Sequence, residues 1–143
     1  MAAILMDHAT DAQAGGMANW MAKGLIDARV KTMLDDYTIG GSTETSGSTI
    51  DVGGVLPSGA NVVAIVIYVS TAQTSLTLSI GDDASATRYA SASTSLQTAG
   101  TYVFSGQNYV TGTTSGDTQI LLTTGGATMT AGNLRIAVFY TFD

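Results

Sequence analysis

Nine consecutive residues, Asn61–Val69, constrain this chain most: Asn-Val-Val-Ala-Ile-Val-Ile-Tyr-Val. Branching at Cβ favours extended backbone, and the side chains of a strand alternate between its two faces. Strict alternation puts Val63, Ile65, Ile67 and Val69 on one face and Val62, Ala64, Val66 and Tyr68 on the other. Both faces are apolar, so both need cover. The run is too short to cross a bilayer as a helix. Residues 134–142 repeat the pattern, with Leu134, Ile136, Val138, Tyr140 and Phe142 on one face and Ala137 and Phe139 on the other. Two double-sided strands predict a second layer, supplied by a helix near Trp20 or by another protomer.

The remaining strands follow from shorter signals. Leu76, Leu78 and Ile80 alternate with Thr77 and Ser79, which predicts one dry and one wet face. Residues 50–52, 101–104 and 117–122 read as strands, and 88–91 as a weaker one. Pro57-Ser58-Gly59 predicts a turn, and glycine punctuates most later gaps. Short strands with regular turns predict an all-β fold, an antiparallel β-sandwich or jelly-roll-like body, preceded by an N-terminal extended arm and a short helix. The helix is expected over residues 17–25, where Met17, Trp20, Met21 and Leu25 recur at helical spacing. Extending it to Asp35 and Asp36 would place two anions at a helix C-terminus, which the macrodipole disfavours, so residues 28–39 read as extended. The division expected is 1–40 for arm, helix and leading strand, and 41–143 for the body.

Charged residues make up 11% of the chain, against a usual figure of about 25%. Threonine, serine and glycine supply the missing polarity, and such a surface can be buried against neighbours with little ion desolvation. This favours an assembly subunit over a freely diffusing enzyme. The net charge is -6, and after Tyr37 the only cations are Arg88 and Arg135. An acidic body repels phosphate, so no nucleic-acid partner is expected. The apolar stretch in residues 1–10 lacks a basic lead and is short, so neither a signal peptide nor a membrane partner is expected. The chain has no cysteine, which removes disulfides and thiolate metal sites and is compatible with assembly in a reducing cytoplasm.

Catalytic constellations are sparse. His8 is the one histidine, and a triad or multi-histidine metal site would need further partners for it. Gly81-Asp82-Asp83 shares three letters with a metal-binding turn of RNA polymerases, but glycine and aspartate are ordinary turn formers and the spaced oxygen ligands of a calcium loop are missing. Asp35 and Asp36 are adjacent, and neighbours on a strand face opposite ways, so they cannot share one acid–base site. No phosphate loop, dinucleotide fingerprint or nucleophile elbow occurs. The expectation is no enzyme, no cofactor and no metal. A second reading gives Tyr89, Tyr102 and Tyr109 to a glycan-binding loop surface of a tail or head-fibre component.

Residues 47–60, Gly-Ser-Thr-Ile-Asp-Val-Gly-Gly-Val-Leu-Pro-Ser-Gly-Ala, precede the long strand, and Leu76-Thr-Leu-Ser-Ile-Gly-Asp-Asp83 and Arg88-Tyr89-Ala90 follow it. A short strand, a Leu-Pro-x-Gly-Ala turn, a long buried strand and a strand ending in x-Gly-Asp, in that order, resemble small structural proteins encoded beside the major capsid gene of tailed bacteriophages. Asn19-Trp20 and residues 28–38 fit the segment leading into that body. The resemblance spans about Trp20 to Ala90 and is weakest before Trp20. It implies a virion protein on the capsid surface, of decoration or cement type, assembled in the host cytoplasm. Its implied partners are the major capsid protein and further copies of itself, a trimer being favoured. The interface residues expected are Ile4, Leu5, Met17, Trp20, Met21 and Leu25, which offer apolar anchors to a capsid or a neighbouring protomer.

Overall fold

A computed structural model describes residues 30–40, 44–110 and 118–141, without side chains over 105–110. Eight strands run in chain order: β1 (Val30–Thr38), β2 (Thr49–Leu56), β3 (Asn61–Val69), β4 (Thr77–Asp82), β5 (Ser85–Ser93), β6 (Gly100–Val110), β7 (Thr118–Gly125) and β8 (Asn133–Thr141). They form two four-stranded antiparallel sheets, sheet A in the order β1-β8-β3-β6 and sheet B in the order β2-β7-β4-β5. The pairs β1·β8, β2·β7, β3·β6 and β4·β5 nest inside one another, alternating between sheets. The β-sandwich expected from the strand spacing is therefore the fold. One 3₁₀ turn, Ser95–Gln97, seats the buried Leu96.

The core lies between the sheets. Val62, Ile65, Ile67 and Val69 of β3 and Leu134, Ile136 and Val138 of β8 face Ile50, Val52 and Leu56 of β2, Leu78 and Ile80 of β4, and Ile120 and Leu122 of β7. All are essentially shielded from water. Strict alternation fails at one place in β3. The register shifts between Val62 and Ala64 against both β6 and β8, so a bulge turns Val62 into the core and leaves Val63 half-buried. One extra residue in a strand resets which face every earlier side chain meets.

Backbone polar groups inside the sandwich are met by a few buried side chains. Gln73 donates through its amide to the carbonyls of Thr71 and Ala131, both at 2.8 Å, and accepts from the Thr130 N–H at 3.0 Å. Glu44 accepts from the Tyr37 hydroxyl at 2.5 Å and the Gly40 N–H at 3.0 Å, tying the end of β1 to the next connection. The two sheets are stitched at one edge by Asp35, whose carboxylate accepts the Gly53 N–H at 2.7 Å. That approach needs glycine: a Cβ on Gly53 would come within 2.9 Å of the Asp35 carboxylate, and one on Gly54 within 2.6 Å of the Met33 sulfur. The bulge of β2 between Asp51 and Val55 brings those glycines to β1.

Candidate interaction surface

Every second residue of a sandwich strand points away from the core, and the two outward faces differ. On sheet B, Thr49 of β2, Thr123 of β7 and Ser79 of β4 lie side by side, a row of hydroxyls. On sheet A the register aligns Leu34 of β1, Ala137 of β8, Val66 of β3 and Val103 of β6. This row is apolar across the full width of the sheet. Its ends are open, with Leu34 61% and Val103 62% exposed. The neighbouring row is Thr32, Phe139, Ala64 and Ser105, so Phe139 widens the patch. The outward side chains of the double-sided strands therefore stand in an apolar band that belongs to no inter-sheet core.

The row on the other side is polar: Asp36, Arg135, Tyr68 and Thr101. Arg135 donates to both carboxylate oxygens of Asp36, at 2.6 and 3.0 Å, a two-pronged pair on the exposed surface. That hydrogen bonding from Arg135 holds the Asp36 carboxyl below the usual carboxylate range and raises the guanidinium further. Beside the pair lies a depression of about 300 Å³ lined by Asp36, Tyr37, Thr38, Tyr68, Ser70, Asn133 and Arg135. The charges cancel each other, so the apolar band is bordered by a neutral edge.

The residues considered for chemistry are placed in structural roles. Asp35 and Asp36 do point apart, one inward to Gly53 and one outward to Arg135. Gly81-Asp82-Asp83 forms the end of β4 and its turn into β5. Asp82 is 3% exposed; one oxygen accepts the N–H groups of Ala84 and Ser85 at 3.0 Å, and the other faces the Arg88 guanidinium at 2.5 Å and the Tyr89 hydroxyl at 3.3 Å. Asp82 is thus a turn cap and a buried counter-charge. Among the described residues no group of three or more His, Asp or Glu could hold a metal ion. Among the described residues no helix is long and apolar enough to cross a membrane.

The three tyrosines considered for glycans do not form a platform among the described residues. Tyr89 lies in the core on sheet B, and Tyr102 belongs to sheet A, half-buried, with its hydroxyl donating to the Thr98 carbonyl at 2.7 Å. Alternation in the short stretch around Tyr89 could not say which face is inward, because the register with β4 decides it. The Tyr109 side chain lies outside the described residues, as do His8, Ile4, Leu5, Met17, Trp20, Met21 and Leu25. The apolar band of sheet A is the outer face of the two double-sided strands, whose apolar residues on both sides signal in the sequence that a cover is needed.

No protein-family model matches the chain, and no curated protein matches it. Solved structures do. A chain in the capsid asymmetric unit of cyanophage Pam1 superposes with a TM-score of 0.67 at 29% identity, over 81% of this chain and 86% of that one. A chain in the capsid of Ralstonia phage GP4 superposes with a TM-score of 0.60 at 16% identity, over 82% and 85%. A third, from the capsid of Helicobacter pylori bacteriophage KHP30, gives 0.56 at 14% identity, over 79% and 87%. All three come from phage capsids. The latter two share the fold; the Pam1 chain adds 29% identity over four-fifths of this chain.

Proposed function

We propose that this chain is a structural protein of a phage virion that binds the capsid shell as a decoration or cement subunit. The observation that carries the reading is the likeness to the Pam1 capsid chain, which extends over four-fifths of both chains. The physical character of the surface supports it. A chain with 11% charged residues and a row of hydroxyls on the outer face of sheet B can be buried against neighbours without stripping water from many ions. No active site is invoked, and the work done is adhesion.

In this reading the partner is the major capsid protein, and copies of the chain associate with one another as a symmetric oligomer, a trimer being favoured, on the outside of the shell. Residues 1–16 form the handle, with Ile4 and Leu5 as its apolar anchors. Many modest contacts then combine through multivalency, because each bound copy raises the local concentration of the next arm. Occupancy also stabilises the subunit, since a partner that binds only the folded state shifts unfolding by mass action.

The test is co-sedimentation of the purified full-length chain with shells assembled without it. Saturable binding at a fixed ratio to the major capsid protein is expected, and Ile4→Asp/Leu5→Asp should abolish it while leaving the far-ultraviolet circular dichroism unchanged. A chain that fails to bind shells, or one that localises to tails in labelled particles, overturns the reading.

A further inference from the structure

The apolar band on the outside of sheet A needs a cover, and the chain carries a segment of matching size. We propose that residues 17–25 dock as a short amphipathic helix across the outer face of sheet A of the same chain, over the row Leu34, Ala137, Val66 and Val103. This goes beyond shell binding and holds whether or not the protein sits on a capsid.

Three quantities agree. Met17, Trp20, Met21 and Leu25 fall at i, i+3, i+4 and i+8, which gathers them on one helical face. Nine helical residues extend about 13.5 Å at 1.5 Å each. Four strands at 4.7–4.9 Å spacing are about 14 Å across from first to last, so the helix spans the apolar row from β1 to β6 and no further. The tether also fits. Five residue steps separate Leu25 from Val30, a reach of about 17 Å, whereas Leu34 lies four residues into β1, about 13 Å along the strand. The C-terminal end of the helix therefore sits over β1, and Met17 and Trp20 lie toward β3 and β6.

The chemistry of the face suits this occupant. Its central row has no polar side chain, and the one charged pair at its margin, Asp36 with Arg135, is self-neutralised. Packing an apolar helix there leaves no ion buried alone.

Trp20 is the only tryptophan, so its emission reports the docking directly. In the full-length protein the emission should be blue-shifted and shielded from iodide. Val66→Asp and Val103→Asp, on the band, should each shift it to the red and raise the quenching constant several-fold. Val55→Asp is the control: Val55 is similarly open, 56% exposed, but stands on β2 of the other sheet, and its replacement should leave Trp20 unchanged. Because the chain has no cysteine, a nitroxide on Val103→Cys should quench Trp20 strongly and one on Val55→Cys should not, which serves even if an aspartate variant unfolds. Trp20 freely accessible in the native protein, or an equal response to labels at positions 103 and 55, overturns the proposal. So does shielding that disappears on dilution to monomer, which would assign the segment to a neighbouring copy. None of these readings uses a shell, so their failure is separate from failure to bind one.

Discussion

Asp82 offers the most quantitative test of how the sandwich is held. The carboxylate is 3% exposed, faces Arg88 at 2.5 Å and accepts the two N–H groups that shape the turn into β5. Asp82→Ala removes the counter-charge from Arg88, whose side chain is only 21% exposed, and strips two turn amides of their acceptor. Breaking a buried pair from one side costs about 3–5 kcal/mol, a large part of the roughly 10 kcal/mol expected for a domain of this length. At about 3 °C per kcal/mol, the melting temperature should fall by about 9–15 °C. Asp82→Asn keeps an oxygen for the turn amides and loses only the charge, so it should cost less, about 2–3 kcal/mol. Asp83 is the internal comparison: it is exposed, accepts one N–H from Gln119 at 3.1 Å, and Asp83→Ala should cost about 1 kcal/mol or less. Thermal and urea unfolding followed by circular dichroism supply the numbers. Equal, small losses for Asp82→Ala and Asp83→Ala would refute the assignment of Asp82 as a structural counter-charge.

Gly81→Ala should destabilise by about 3 kcal/mol or more, because its Cβ would overlap the Ser85 carbonyl oxygen and the Ala86 backbone, neither of which can rotate away; a urea midpoint equal to that of the parent would contradict the close hairpin. Gln73→Leu should cost about 3 kcal/mol in the same assay, since three buried backbone groups lose their partner. Asp36 is held below its ordinary value of 3.8, so its pairing with Arg135 adds stability above that pH and loses it as pH falls through the lowered folded-state value. Arg135→Gln should therefore raise the Asp36 titration midpoint seen by carboxyl NMR, and salt should shrink the difference because the pair is exposed; an unchanged midpoint would contradict the pairing.

Much of the fold is legible where side-chain volume and backbone preference agree. The bounds of β3 follow from the Val/Ile run, the turn before it from Pro57-Ser58-Gly59, where the Ala60 N–H closes onto the Pro57 carbonyl at 3.0 Å, and β8 falls within a residue of its apolar run. What escapes is set by partners. The β3 bulge depends on register with two neighbouring strands, so strict alternation separates Val62 from Ile65 although both enter the same core. β5 is longer than its weak pattern indicates, because Ser, Ala and Thr at an edge are held in the strand by pairing with β4. Of the surface, the self-opposed aspartates Asp35 and Asp36 were readable from strand geometry alone. The role of Tyr89 was not, since a tyrosine in a strand serves core and surface equally well until a buried acceptor such as Asp82 is seen beneath it.

The unequal outer faces ask whether the apolar band on sheet A reflects contact or only strand preference. Valine is a good strand former, and Val66 and Val103 could be explained by propensity. Threonine has the same branched shape, and the chain uses it freely where a strand meets water, at Thr49 and Thr123 on sheet B. Propensity alone would be met equally by threonine on sheet A, at no cost in solubility. The row there also contains Leu34 and Ala137, neither of which favours a strand, and Phe139 stands beside it. Four strands would each have to place an apolar residue at the same level by chance for the band to be neutral. A dry neighbour over that level explains all of them at once, and a helix of residues 17–25 laid across the four strands is a neighbour of the right length.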